Sequence, residues 1–238
     1  MLKGINGSMP DLEKALKDYA IDEYYGKAFD LVLSGKAREA FDLAKEPDKV
    51  RERYGRTTFG QGLLLSRRLI EAGTRFVQMN WPAVANGNPE VDAWDTHAAN
   101  FGPLKNLHCP VFDRGISALI EDMSQRGMFK DTLLVTVGEF GRSPRLGVST
   151  SGNTNSPDGR DHWPYCYTAL VAGVGMHTGR VYGASDQTAS SPKEKPVHPN
   201  DLLATVYYSL GIDPDMTVLN HLNQPRELVK GKPVLELW

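Results

Sequence analysis

Twice along this chain an amphipathic helix pattern, a glycine stop and a short apolar run follow one another, which leaves few folds open to it. In the first instance Thr57 or Thr58 stands as N-cap and residues 59–72 place Leu63, Leu64 and Ile70 on one face. Gly73 then ends the helix before a strand-like run over residues 74–80. In the second, residues 111–126 align Ile116, Leu119, Ile120 and Met123, Gly127 takes the C′ position, and Leu133-Leu134-Val135-Thr136-Val137 follows. A near-continuous apolar run of that kind suits a central strand of a parallel sheet. Further strands are expected over residues 165–172 and 180–183, and a closing helix over residues 201–210 stopped by Gly211. The alternation predicts an α/β fold, a mostly parallel sheet flanked by helices, with its site on loops at the strand C-termini.

Residues 1–56 follow another pattern. Leu12, Leu16 and Tyr19, then Ala37, Ala40 and Phe41 after the N-cap candidate Ser34, recur at helical spacing, and Pro47 interrupts them. They predict a helical arm over 1–56, without a strand, beside an α/β region over 57–238. Residues 81–108, with Pro82, Asn86-Gly87-Asn88-Pro89 and Gly102-Pro103, have the composition of a long loop. Loops of that length in compact domains are usually functional or disordered.

Composition removes several function classes. A net charge of −2 over 238 residues gives no electrostatic footprint for nucleic acid or an anionic membrane surface. No stretch approaches the roughly 20 apolar residues of a membrane-spanning helix, so no membrane insertion is expected. The first residues contain no apolar segment of signal-peptide length, which makes the cytoplasm the default location. Cys109 and Cys166 are too few for a thiolate zinc site and lack CxxC spacing, and they read as buried structural thiols.

Three loops concentrate side chains with chemistry. Trp94-Asp95-Thr96-His97 offers a carboxylate and an imidazole two residues apart, both standard ligands for a divalent ion. A structural Asp–His hydrogen bond explains the same pattern equally well. In Gly138-Glu139-Phe140-Gly141-Arg142, directly after the apolar run, Glu139 is a candidate metal ligand or base and Arg142 a candidate anion clamp. An ion pair between the two is the competing reading. Gly159-Arg160-Asp161-His162-Trp163-Pro164 adds Asp161 and His162 as ligands and Arg160 as a second anion-holding group. His108, His177, His198 and His221 read as surface or capping residues. No GxSxG elbow or Walker loop is present, so no activated nucleophile announces itself.

These loops, with Phe59-Gly60-Gln61-Gly62, Val181-Tyr182-Gly183-Ala184-Ser185-Asp186 and Asp201-Leu202-Leu203-Ala204-Thr205-Val206-Tyr207, resemble the bacterial family grouped as domain of unknown function 1501. The likeness runs over essentially the whole chain. That family is placed beside alkaline phosphatases, sulfatases and metal-dependent phosphoglycerate mutases. Residues 130–137 are similar to the strand before the superfamily's metal motif, with Glu139 at its Asp position and Phe140 where a second ligand is expected.

The resemblance implies an alkaline-phosphatase/sulfatase-like fold, present here as a partial, C-terminal portion. It implies a metal-dependent hydrolase of phosphate or sulfate esters acting on a small anionic substrate. The metal site is expected from Asp95, His97, Glu139, Asp161 and His162, with Glu139, Arg142 and Arg160 in catalysis. The cation is zinc, calcium or magnesium. Relatives carry an acidic segment, a nucleophile and often an export signal in an N-terminal half, which is expected to supply part of the site. Weak metal binding and little turnover are therefore expected of this chain. The alternative is a non-catalytic binding or scaffolding module that retains the fold.

Overall fold

The computed structural model describes residues 35–81, 94–152 and 155–238. The chain divides into two compact units. The first comprises Met1–Asp95 with Gly102–Asp122, and the second Thr96–Phe101 with Met123–Trp238. The predicted arm over 1–56 falls within the first, and its residues 1–34 lie outside the described region.

In the first unit, helices α1 (Gly35–Ala40) and α2 (Asp48–Tyr54) pack on α3 (Thr58–Glu71). Pro47 stands at the N-cap of α2, where its missing N–H costs nothing. Thr57 caps α3 by accepting from the Gly60 amide at 3.0 Å, and Gly73, at φ 101°, ends it. Phe59, Leu63 and Leu64 are buried. Phe59 and Leu63 meet helix α4 (Cys109–Gln125) at Gly115, where an added Cβ would come within 2.9 Å of Leu63.

Gly60 is tighter still. A Cβ there would sit 2.2 Å from the Tyr54 carbonyl oxygen and 2.7 Å from that of Gly55. Alanine normally favours a helix over glycine by about 1 kcal/mol, but a backbone collision costs more, about 3 kcal/mol. Gly60→Ala is therefore expected to lower the unfolding midpoint. An unchanged or higher midpoint in thermal melts would mean that α2 and α3 part without cost.

The predicted loop over 81–108 ends early, because helix begins at Phe101. A turn of π-helix at Leu104–His108 leads into α4, with the Cys109 amide bonded to the Leu104 carbonyl. That widening accommodates Pro110, whose ring lacks an N–H and would collide with a carbonyl in a regular turn. Residues 74–81 form no strand. They find no ladder partner among the described residues, and Phe76 is 78 % exposed.

In the second unit, β1 (Leu133–Val137) pairs with β4 (Ala169–Gly173), and the pairing is antiparallel, Leu133 opposite Gly173 and Val137 opposite Ala169. Between them β2 (Gly141–Arg142) pairs with β3 (His162–Trp163), also antiparallel. Further hairpins join β5 (Ala184–Ser185) to β6 (Pro192–Glu194) and β7 (Thr217–Leu219) to β8 (Pro225–Glu227). The structure is thus a set of helices with four two-stranded antiparallel sheets, and no parallel pair occurs among the described residues.

This overturns the expected mostly parallel, alkaline-phosphatase/sulfatase-like sheet. The physical reason lies between the strands. A parallel partner needs a crossover of a dozen or more residues, usually a helix. The polar, glycine- and serine-rich segment after Arg142 builds turns instead, so the chain comes back antiparallel. The strand expected over 165–172 starts at Ala169, and that over 180–183 is displaced to Ala184–Ser185.

The second unit closes with α5 (Pro199–Ser209). His198 is its N-cap: its Nδ1 accepts from the Asn200 amide at 3.1 Å, while Asp201 accepts from the His198 amide at 3.1 Å. Asp201 also accepts from the Lys232 amide and Thr205 from that of Val234, which ties the C-terminal segment to the helix. Cys109 is exposed and Cys166 half-buried, so the expectation of two buried thiols is corrected. No described helix is long and apolar enough to cross a membrane.

Candidate metal centre

Two loops of the second unit are stitched together by backbone. The Ser156 amide donates to the His97 carbonyl at 3.0 Å, the Arg160 amide to the Thr96 carbonyl at 3.1 Å, and the Asn100 amide to the Asp158 carbonyl at 3.1 Å. Thr96 and Asn100 are buried and joined by a 2.5 Å hydrogen bond. Gly159 allows the approach, since a Cβ there would lie 1.8 Å from the His97 carbonyl oxygen. The backbone carrying His97 is therefore held by the loop that leads to His162.

His162 is placed by β3, opposite Arg142 of β2. The ring of Phe140 lies against it, centroids 4.3 Å apart. Next in the strand, the Trp163 indole N–H donates to the Ser190 carbonyl at 2.8 Å. As a result the Nε2 atoms of His97 and His162 face one another at 3.2 Å, with ring centroids 4.8 Å apart.

Behind them sits Asp161, fully buried. Its Oδ2 accepts from the amides of Thr150 (2.6 Å) and Ser151 (2.8 Å), and its Oδ1 from the Ser151 hydroxyl and the His162 amide, both at 2.7 Å. Burial acts to raise its pKa, but these four donors outweigh burial and hold it well below the ordinary carboxylate range. A buried anion thus stands 3.6 Å from His97 Nδ1. The same Nδ1 lies 2.7 Å from the side-chain oxygen of Asn155. Two imidazoles edge to edge, backed by a carboxylate and an amide, make a donor set suited to a borderline metal cation.

A family model matches residues 1–238, a span that contains every residue of this site. The chain belongs to the DUF1501 family, described as protein of unknown function. No curated protein and no solved structure matches it.

Other expected site residues of the DUF1501 chain are distributed unevenly. Arg142 donates to the Arg160 carbonyl at 3.2 Å, and Arg160 to the Ser143 carbonyl at 3.0 Å, with its guanidinium 5.3 Å from the Phe101 ring centroid. Both arginines therefore brace the loops that carry Asp161 and His162. Glu139 is exposed on the bend after β1. Neither it nor Asp161 contributes a ligand atom to the cluster containing the two imidazoles. Asp95 is exposed and belongs to the first unit. Its neighbour Trp94 packs there, 5.1 Å from Trp81 and 5.3 Å from His108 by ring centroids. The Trp-Asp-Thr-His motif thus anchors at its Trp in one unit and presents its His in the other.

Sequence reasoning missed Asn155, Phe140 as the ring against His162, and Thr150 and Ser151 as donors to Asp161. All lie in or beside glycine- and serine-rich stretches without periodicity, where partners are set only by tertiary folding.

Proposed function

We propose that this DUF1501 chain is a metal-dependent protein whose centre is built on His97 and His162, and that its reaction class is hydrolysis of a phosphate or sulfate ester. The observation that carries it is the 3.2 Å between the two Nε2 atoms. A zinc-like ion bound about 2.0–2.1 Å from each of two imidazoles at tetrahedral angles separates their nitrogens by about 3.3 Å, so the pair fits such an ion with little movement. Asp95, a candidate ligand by its place two residues before His97, belongs to the first unit, so the centre within the second unit counts His97 and His162 as its protein ligands. Two imidazole nitrogens favour zinc over calcium or magnesium, which prefer oxygen throughout. Two protein ligands leave positions open for water or substrate, as catalytic rather than structural sites do.

When bound, the ion would supply Lewis acidity toward an ester oxygen. His97 and His162 hold that position fixed against the buried Asp161 charge. Arg142 and Arg160 bring positive charge to the same loops, which suits an anionic ester. The choice of phosphate or sulfate rests on the motif resemblance to alkaline phosphatases and sulfatases. A non-catalytic, metal-holding module is the second reading. It is favoured by both arginines being engaged with backbone carbonyls and by Ser143 and Ser151 being tied to Arg145 and Asp161.

Zinc titration by calorimetry, with turnover of aryl phosphate and aryl sulfate, separates these readings. One zinc per chain is expected, removable by chelator, with affinity reduced at least about 100-fold in His97→Ala and in His162→Ala as a ligand is lost. Slow turnover that disappears in both variants supports the hydrolase. Zinc binding without turnover leaves the second reading, and absence of zinc binding ends both.

A further inference from the structure

We infer that Asn155 is a positioning residue that fixes the tautomer of His97, so that Nδ1 carries the proton and Nε2 presents its lone pair to the site. The ligand consequence rests on the metal reading above. The tautomer itself does not.

A neutral imidazole has one N–H and one lone pair, and nothing intrinsic to the ring decides firmly which nitrogen holds which. At His97 the surroundings decide. Nδ1 lies 2.7 Å from Asn155 Oδ1, and Nε2 lies 3.2 Å from His162 Nε2. The orientation of the Asn155 amide is not arbitrary, because its other end, Nδ2, is 2.9 Å from the Val148 carbonyl oxygen. A carbonyl only accepts, so the NH2 end must face Val148, which leaves the amide oxygen toward His97. That oxygen in turn only accepts, so His97 Nδ1 must donate. The Asp161 carboxylate, with Oδ1 3.6 Å from the same nitrogen, adds negative charge on the side where the N–H sits.

The chain of constraint runs from Val148 through Asn155 to His97 and ends at a lone pair on Nε2. In the metal-free protein His162 Nε2 must then be the donor across the 3.2 Å contact. With a cation present, His97 is already in the form a metal ligand requires, and no proton has to move across its ring. Outer partners of this kind typically alter metal affinity about 10–100-fold when removed. A residue that merely tied the His97 loop to Val148 would make its bond to Val148 without deciding the tautomer.

The experiment uses the full chain labelled with 15N-histidine, with chelator, at about pH 8, above the ordinary imidazole range. Ring nitrogen shifts are expected to show His97 protonated at Nδ1 and unprotonated at Nε2. Asn155→Leu, with the smaller Asn155→Ala as a second route should the first not fold, removes the acceptor. Either is expected to move His97 toward the Nε2-protonated form and to weaken zinc about 10–100-fold. Asn155→Asp keeps an acceptor but loses the bond to Val148, and it is expected to retain the Nδ1-protonated form. If His97 stays protonated at Nδ1 in the acceptor-less variants, or if Asn155→Asp shifts it as they do, Asn155 only braces the loop and the inference is overturned. If the wild-type chain binds no zinc while the tautomer responds as expected, the metal reading fails and the tautomer assignment stands.

Discussion

Arg67→Met is expected to destabilise the first unit by about 3–5 kcal/mol, the cost of removing one partner from a buried ion cluster. Arg67 projects from α3, only 2 % exposed, beside Leu63 and Leu64. Its guanidinium meets Glu71 at 2.5 Å, Glu46 at 2.9 Å and Asp122 of α4 at 3.0 Å. Tyr54 of α2 donates to the same Asp122 at 2.9 Å. Burial pulls the Arg67 pKa down, but Glu71 and Asp122 more than offset this and raise it, so it stays charged. Burial, with the Asp122 charge second, raises the Tyr54 pKa, so the phenol stays protonated and keeps donating.

One cation therefore joins α3, α4 and the segment before α2. Methionine fills most of the volume but leaves Glu46 and Asp122 without their shared countercharge, and Arg68, 2.6 Å from Glu46, compensates only one of them. Lysine should rescue partially, because a point charge cannot meet three carboxylates as a planar fork does. Urea unfolding followed by tryptophan fluorescence measures it. A change below about 1 kcal/mol for Arg67→Met would show that the cluster is no better than an apolar contact, an outcome known for whole ion networks replaced together.

Features with local causes were legible in the sequence. Thr57 caps α3 and Gly127, at φ 68°, follows α4, because caps and left-handed glycines depend on a few neighbouring residues. The apolar run at Leu133 was correctly a strand, yet its direction was misread. A run of apolar residues records burial and carries no sign of parallel or antiparallel pairing. The sign lay in the residues after Arg142, too polar and too rich in glycine to supply a crossover helix. Residues 74–80 looked like a strand by composition and failed for want of a ladder partner among the described residues. In the candidate site, His97, Asp161 and His162 stood out as ligand-type side chains on loops. Their division of labour did not, because Asp161 is set behind the imidazoles by donors from Thr150 and Ser151, which no spacing rule connects to it.

Asp161→Asn is expected to destabilise the second unit by about 2–4 kcal/mol and to flatten its acid sensitivity. The carboxylate accepts from three backbone amides and one hydroxyl, two at each oxygen. An asparagine of the same shape presents an oxygen to one pair and an NH2 group to the other, so two donors face a donor. Hydrogen bonds to a charged group contribute about 1.5–3 kcal/mol, and a buried donor left unmet costs about 1–3 kcal/mol. The pH dependence follows from the direction of the shift. The folded-state pKa lies below the ordinary unfolded value near 4. Its contribution is therefore fully present above that unfolded value and is lost as pH falls through the range below it. Wild type should thus exceed Asp161→Asn by its full margin at about pH 5 and above. The margin should narrow as the acid limb below about pH 4 is entered, since only the wild type has this carboxylate to protonate. Thermal unfolding of both proteins in chelator, from about pH 6 down to about pH 3, gives the two curves. A margin that is the same at every pH would mean that Asp161 acts through shape alone. A margin near zero throughout would mean that the loops carrying His97 and His162 are held together without it.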